Sequence, residues 1–459
     1  PPYNYNFSFY KFPKSPTSSI YPSFFILINN YYRDMKLGIS IFILLFLPLV
    51  LLAKADDGFV RTKGQQLILN GTPFYANGFN AYWLMYFASD PSLKPKVSSA
   101  FQQAVDHGLS IGRTWAFNDG GYSPLQYSPG QYNEKMFQGL DFVVAEARKY
   151  GIKLILSLVN NYESMGGKKQ YVEWARSQGQ AISSEDEFFT NPVVKGFYKN
   201  HIKSILTRVN SITGVAYKDD PTIMAWELMN EARCPSDPSG NTIQAWIKEM
   251  ASYLKSIDGK HLLEAGLEGF YGQSKYQWNP NFQVGTDFIA NNQIPEIDFA
   301  TVHSYPDQWL SGSSYENQLS FLNTWLNDHI QDAQNILHKP VLFAEFGKSI
   351  KYSGADQRDQ LFNAVYSAVY SSARGGGAAI GGMFWQLLVE GMDSFRDGYE
   401  VVLSESPSTA NLITQESRRL IHIRRMYAKL RNIEKWKRAK EMKKAQWEAS
   451  RGGNNSPGN

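Results

Sequence analysis

Two short stretches end apolar runs in acids. "IMAWELMNEARC" (223–234) begins as a buried strand would and then delivers Asn230, Glu231 and Arg233, and "PVLFAEFG" (340–347) carries Glu345 at the same relative place. A strand needs no carboxylate at its end for packing, so the pair points to chemistry. Two carboxyl groups brought to either side of one bond can divide the work of proton donor and nucleophile, or of acid and base. The chain between them must then fold so that they meet.

Apolar runs of strand length recur along the chain at 73–83, 110–117, 153–162, 222–231, 261–269, 298–306, 340–347 and 378–387. Amphipathic stretches at 134–150, 193–209, 242–257, 316–330 and 356–373 lie between most of them. Strands separated by helices pair in parallel, because each return needs a crossover. Eight such units predict an α/β fold, a (β/α)8 TIM barrel in a single catalytic domain.

Polar or aromatic side chains end nearly every run: Asn80 and Trp83, Arg113 and Trp115, Asn160, Asn230 and Glu231, Glu268, His303 and Tyr305, Glu345, Trp385. In a barrel these ends converge on one face, where active sites are built. The long insertion from Tyr162 to Asn191 follows the third run and is placed to wall a cleft on that face. Strands four and seven face each other across a barrel mouth, so Glu231 and Glu345 would flank one bound bond. That is the equipment of a glycosidase, and a retaining one holds the two groups about 5–5.5 Å apart.

The motifs "GFNAYW", "GRTWAF", "WELMNEARC", "TVHSYPDQW", "FAEFG" and "FWQL", in this order from about Gly64 to Met426, resemble glycoside hydrolase family 5 and within it the secreted plant endo-β-1,4-mannanases. The resemblance implies a retaining endo-hydrolase of mannan, glucomannan and galactomannan in plant cell walls, with transfer to a second sugar as a further outcome. It makes Glu231 the acid/base and Glu345 the nucleophile. Arg113 and Tyr305 would converge on Glu345, Asn230 would bond the sugar 2-hydroxyl, His303 would lie near the acid/base and substrate, and Trp385 would floor the site. Arg233 matches a sugar-binding residue of some mannanases, or else makes a surface ion pair. Trp83, Trp115 and Trp309 are either stacking platforms or core. A proton on Glu231 and a charge on Glu345 are expected to support each other, since one carboxylate raises the pKa of its neighbour.

Two other readings share these residues: a β-1,4-glucanase of the same fold, and an inactive carbohydrate-binding wall protein. The first would have the same catalytic pair. The second is disfavoured by the joint presence of Glu231, Glu345, Asn230, Arg113 and Tyr305.

Residues 1–34 read as a non-native upstream segment. Met35 and Lys36 precede the apolar run "LGISIFILLFLPLVLL" and "AKA", which together read as a signal peptide over 35–55. The catalytic domain is expected over 56–430 and a basic tail, helix then disordered, over 431–459. The expected protein is secreted to the wall as a monomer, without a stable membrane anchor after cleavage. A single cysteine, Cys234, excludes an internal disulfide. The ends are basic, but residues 56–415 carry 28 Lys and Arg against 37 Asp and Glu, which argues against nucleic acid as a partner. Neither cofactor nor metal is expected: no His, Cys and Asp cluster has ligand spacing. Asn70-Gly71-Thr72 and Asn454-Asn455-Ser456 are glycosylation sequons.

Overall fold

The computed structural model describes residues 57–280, 284–351 and 354–452. The expected signal peptide and upstream segment, the end of the expected tail and the second sequon lie outside them. All eight predicted runs contain a strand: β1 (Ala76–Asn80), β2 (Ile111–Trp115), β3 (Lys153–Ser157), β4 (Ile223–Glu227), β5 (Leu262–Glu264), β6 (Ala300–Ser304), β7 (Val341–Phe346) and β8 (Ala379–Phe384). They form one parallel sheet in the order β5-β4-β3-β2-β1-β8-β7-β6. The eighth seam is held by single backbone bonds, Asp298 N to Leu263 O at 2.8 Å and His303 N to Glu268 O at 2.9 Å. These bring β6 back to β5 and complete the barrel.

The strands are shorter than the apolar runs, and in β3, β4 and β5 it is the leading part of the run that pairs. Inside the barrel, Ile111, Ile155, Met224, Leu262, Leu342 and Met383 meet Val60, Leu67 and Phe74 from the chain before β1. That preceding chain is a three-stranded antiparallel ribbon, Arg61–Lys63, Gln66–Leu69 and Thr72–Pro73. A second, larger core lies between the strands and the outer helices and includes Phe101, Leu140, Tyr198, Trp246, Leu322 and Phe362.

Helices α1 (Lys94–Asp106), α2 (Glu134–Tyr150), α3 (Pro192–Thr207), α4 (Asn241–Ile257), α5 (Phe288–Asn292), α6 (Tyr315–Asp332), α7 (Ala355–Arg374) and α8 (Pro407–Gly452) follow the strands in turn. Local signals set their ends. Asn133 caps α2 through a bond from Lys135 N at 3.1 Å, and Gly151 closes it at φ +69°. Asn191 caps α3, with Pro192 as its first residue. The insertion after β3 is a helix, Gly167–Ser177, and a 3₁₀ turn, Glu185–Phe189, rather than open loop.

The boundary expected near Arg431 is no break in the backbone. α8 runs through it unbroken, packing Ile413, Leu420 and Ile423 into the core before it becomes exposed.

Candidate active site

The fourth strand stops at Glu227, four residues short of the acid read as its end. The chain bends at Leu228 and reaches Asn230, which bridges to Asn160, and Glu231 then takes φ +54°. That left-handed conformation costs a non-glycine residue about 1–2 kcal/mol. It is held by the bond from Glu231 N to Gly266 O at 2.8 Å. Gly266, at φ +79°, must be glycine, because a Cβ there would run into the Met229 carbonyl. The turn aims the Glu231 side chain across the barrel mouth.

Opposite it, β6 pairs with β7 in register until a bulge between Val302 and His303 sets His303 beside Glu345. The bulge puts one imidazole between the two acids. Nδ1 of His303 is 2.6 Å from Oε1 of Glu231 and 3.7 Å from Oε2 of Glu345. A carboxylate oxygen of each acid lies within 4.8 Å of one on the other. That bound is shorter than the separation of about 6.5–9.5 Å in an inverting pair and fits the closer pair of a retaining one.

Glu345 is gripped from two sides. Arg113 Nη1 donates to its Oε1 at 2.6 Å and the Tyr305 hydroxyl to its Oε2 at 2.6 Å. Arg113 also donates through Nη2 to Asn230 Oδ1 at 2.7 Å, through Nη1 to Asn80 Oδ1 at 3.0 Å, and by a two-pronged bond at 2.5 and 2.7 Å to Glu227. Asn230 Nδ2 donates to Asn160 Oδ1 at 3.0 Å. With that bond made and its oxygen bound to Arg113, the amide keeps one hydrogen to offer a ligand.

Burial works against the charge on Arg113, but Glu227 and Glu345 more than offset it. Beneath it, Glu227 and Glu264 are register partners on β4 and β5, both fully buried. Burial and the Glu227 charge hold Glu264 well above the carboxylate range, whereas Arg113 pulls Glu227 below it. One proton on Glu264 therefore keeps the buried pair from carrying two charges.

Burial raises Glu345, with the charges of His303 and Arg113 limiting the rise. Burial would raise Glu231 too, but the bond and charge from His303, then the charge of Arg233, lower it. His303 is raised: burial opposes its charge, and Glu345 and Glu231 overcome that. The order expected from the sequence, a proton on Glu231 and a charge on Glu345, runs against these directions in the free site. There the lowered Glu231 and the raised His303 favour an ion pair between them, 2.6 Å apart.

Arg113, expected to converge on Glu345, and His303, expected near the acid/base and grouped with Arg113 among the substrate-binding candidates, are fully buried and absent from the cleft lining, so they act through Glu345, Asn230 and Glu231. Arg233 makes an ion pair, but one on the cleft wall rather than the outer surface. It holds the buried Glu268 at 2.5 and 2.7 Å and lies over the rings of Tyr162 and Phe270. Burial and the Glu231 charge push Glu268 up to about 7 despite that pair.

The cleft measures about 490 Å³ and is lined by Trp115, Tyr162, Asn230, Tyr305 and Trp385 among others, with both acids in its wall. Trp385 stacks on Tyr82 at 5.8 Å and donates to Asp397 at 2.8 Å, and Trp309 also faces the cleft. Trp83 is core: fully buried, it donates to the Leu387 carbonyl. Sequence reasoning missed Glu227, Tyr162 and Asp397. Glu227 was legible as an acid inside an otherwise apolar strand, and the other two sit in loops with no pattern to mark them.

Among the described residues, the trio Glu231, His303 and Glu345 is the one cluster with donor atoms close enough for a metal. Its facing atoms already bond to one another, to Arg113 and to Tyr305, which is the wiring of proton transfer. A larger groove, about 800 Å³, runs between α6 and α7 on the barrel's outside, but its lining holds no carboxylate or imidazole.

A barrel carrying two facing acids at its mouth is the architecture of a glycoside hydrolase. Residues 57–392 match the family model described as GH family 5 beta-mannosidase-like, and the chain belongs to that family. It is 67% identical over 393 residues to mannan endo-1,4-beta-mannosidase 7 of Arabidopsis thaliana, covering 84% of this chain and 91% of that one. To mannan endo-1,4-beta-mannosidase 1 of Oryza sativa subsp. japonica it is 64% identical over 385 residues, covering 82% and 89%. The solved endo-1,4-beta-mannanase of Rhizomucor miehei superposes with a TM-score of 0.67 at 33% identity, covering 79% of this chain and 99% of that one.

Proposed function

We propose that the chain is a retaining endo-hydrolase of internal β-1,4-mannosidic bonds in mannan, glucomannan and galactomannan. The family, the names of its relatives and the carboxylate spacing support this reading, and the spacing carries the mechanism.

Glu345 attacks the anomeric carbon while the leaving glycosidic oxygen takes a proton from Glu231. Substrate over the cleft excludes water, which makes the Glu231–His303 charge pair costlier and returns the proton to the carboxyl side. The glycosyl–Glu345 ester then forms. Glu231, now a base, takes a proton from water, whose oxygen displaces Glu345 and restores the carboxylate. A sugar hydroxyl in place of that water gives transfer. Asn230 is placed to bond the 2-hydroxyl, axial in mannose, and Trp385 and Trp115 offer flat faces to sugar rings.

Secretion to the wall, with the enzyme acting as a monomer, completes the proposal. The apolar run before "AKA" supports export, and no described helix is long and apolar enough to cross a membrane.

The test is a reducing-sugar assay on glucomannan, galactomannan and carboxymethylcellulose, with NMR of the first product. Two inverting displacements release the β-anomer. An α-anomer at early time, or faster cleavage of carboxymethylcellulose, would overturn the reading.

A further inference from the structure

From Asn432 to Glu448 every residue of α8 is exposed. The last anchor before this span is Arg431, whose Nη1 donates to Asn70 O at 2.8 Å. A helical span with no buried face depends mainly on helix-forming residues and pairs such as Lys444–Glu448 at 3.8 Å. Between Arg431 and Glu448 it carries seven Lys and Arg and three Glu.

The charges are sorted around the helix. At about 100° per residue, Trp436, Lys440, Lys443 and Trp447 fall within about 60° of one another. Glu434, Glu441 and Glu448, spaced by sevens, share a stripe about 140° away. Trp436 is 64% exposed and Trp447 54%, and Lys440 Nζ lies 5.3 Å from the Trp436 ring centre. Two indoles about 16 Å apart along the axis thus bracket ammonium groups on a face without acid.

We propose that this face docks on an acidic polysaccharide, a chain of uronic acids, independently of the catalytic cleft. An indole offers a flat apolar surface to the C–H face of a sugar ring, and the lysines between complement its carboxylates. The charge of the helix is opposite in sign to that of residues 56–415, so such a polymer would be drawn to the helix and repelled by the rest. A lipid surface fits less well. An interfacial helix buries a continuous apolar stripe, and here Lys440 and Lys443 interrupt the one between the two tryptophans.

The full chain should be slowed in affinity electrophoresis through gels containing polygalacturonate, but not fully methyl-esterified pectin, and high salt should abolish the retardation. Trp436→Ala with Trp447→Ala, which leaves the charge unchanged, should weaken retention about tenfold or more, as should Lys440→Glu with Lys443→Glu. The same charge reversal off the face, Lys435→Glu with Arg438→Glu, should cost clearly less. All three variants should keep wild-type turnover on soluble galactomannan, which separates this proposal from the catalytic one. Unaltered retention in the tryptophan variant, equal losses on and off the face, or equal or tighter binding to phosphatidylserine vesicles or a DNA oligonucleotide would overturn it.

Discussion

Nη1 of Arg113 lies 2.6 Å from Oε1 of Glu345, and neither side chain has more than a sliver of surface open to water. The same guanidinium reaches back to Glu227 and sideways to Asn230. One buried cation therefore holds both the proposed nucleophile and the amide proposed to bond the sugar 2-hydroxyl.

Glu345→Ala should abolish turnover on mannan. Azide should restore cleavage of an activated aryl β-mannoside by occupying the space of the lost carboxylate, giving the α-mannosyl azide. Recovery of the β-azide, or a mutant still active on polymer, would exclude Glu345 as nucleophile.

Glu231→Ala should lose about 10²–10⁴-fold on polymer, the usual contribution of a positioned acid or base. Formation of the glycosyl-enzyme from a dinitrophenyl mannoside should be nearly spared, because that leaving group needs no proton. The check is the burst of dinitrophenol on mixing; equal losses on both substrates would assign the acid elsewhere.

Glu227→Gln keeps the shape beneath Arg113 and removes its charge. Loss of a charged partner costs about 1.5–3 kcal/mol, so kcat/KM should fall roughly 10–100-fold, mostly in kcat. Arg113 would then act more fully on Glu345 and lower its pKa, moving the acid limb of the pH profile to lower pH. A general loosening of the fold would not move that limb, so an unmoved limb would refute the positioning role.

Burial pushes Asp119 up to about 8, with hydrogen bonds from Gln126 and Tyr171 only partly opposing. The folded state thus binds this proton more tightly than the unfolded chain. Its contribution is fully present below about pH 4, declines as pH rises toward about 8, and then levels. Asp119→Asn should flatten that decline, so that the Tm gap between wild type and variant shrinks by several degrees from acid to neutral pH. A gap independent of pH would mean that Asp119 is not the titrating group.

Much of this was legible in the sequence. Apolar periodicity reports which side of a segment faces inward, a local property, so it located all eight strands and fixed α2 at 134–150. The ends of those runs supplied Glu231, Glu345, Tyr305 and Trp385, because parallel strands must converge on one face. The direction of a side chain just past a strand is not local. It depends on backbone angles set by distant partners: the bulge at Val302/His303 that puts an imidazole between the acids, the φ +54° of Glu231 held by Gly266 O, and the Glu227–Glu264 pair sharing a proton beneath Arg113. Sequence determined which residues could do the chemistry; burial and long-range hydrogen bonds decided which line the cleft, which act through another group, and which, like Trp83, are only core, since desolvation and direction exist only once the barrel has closed.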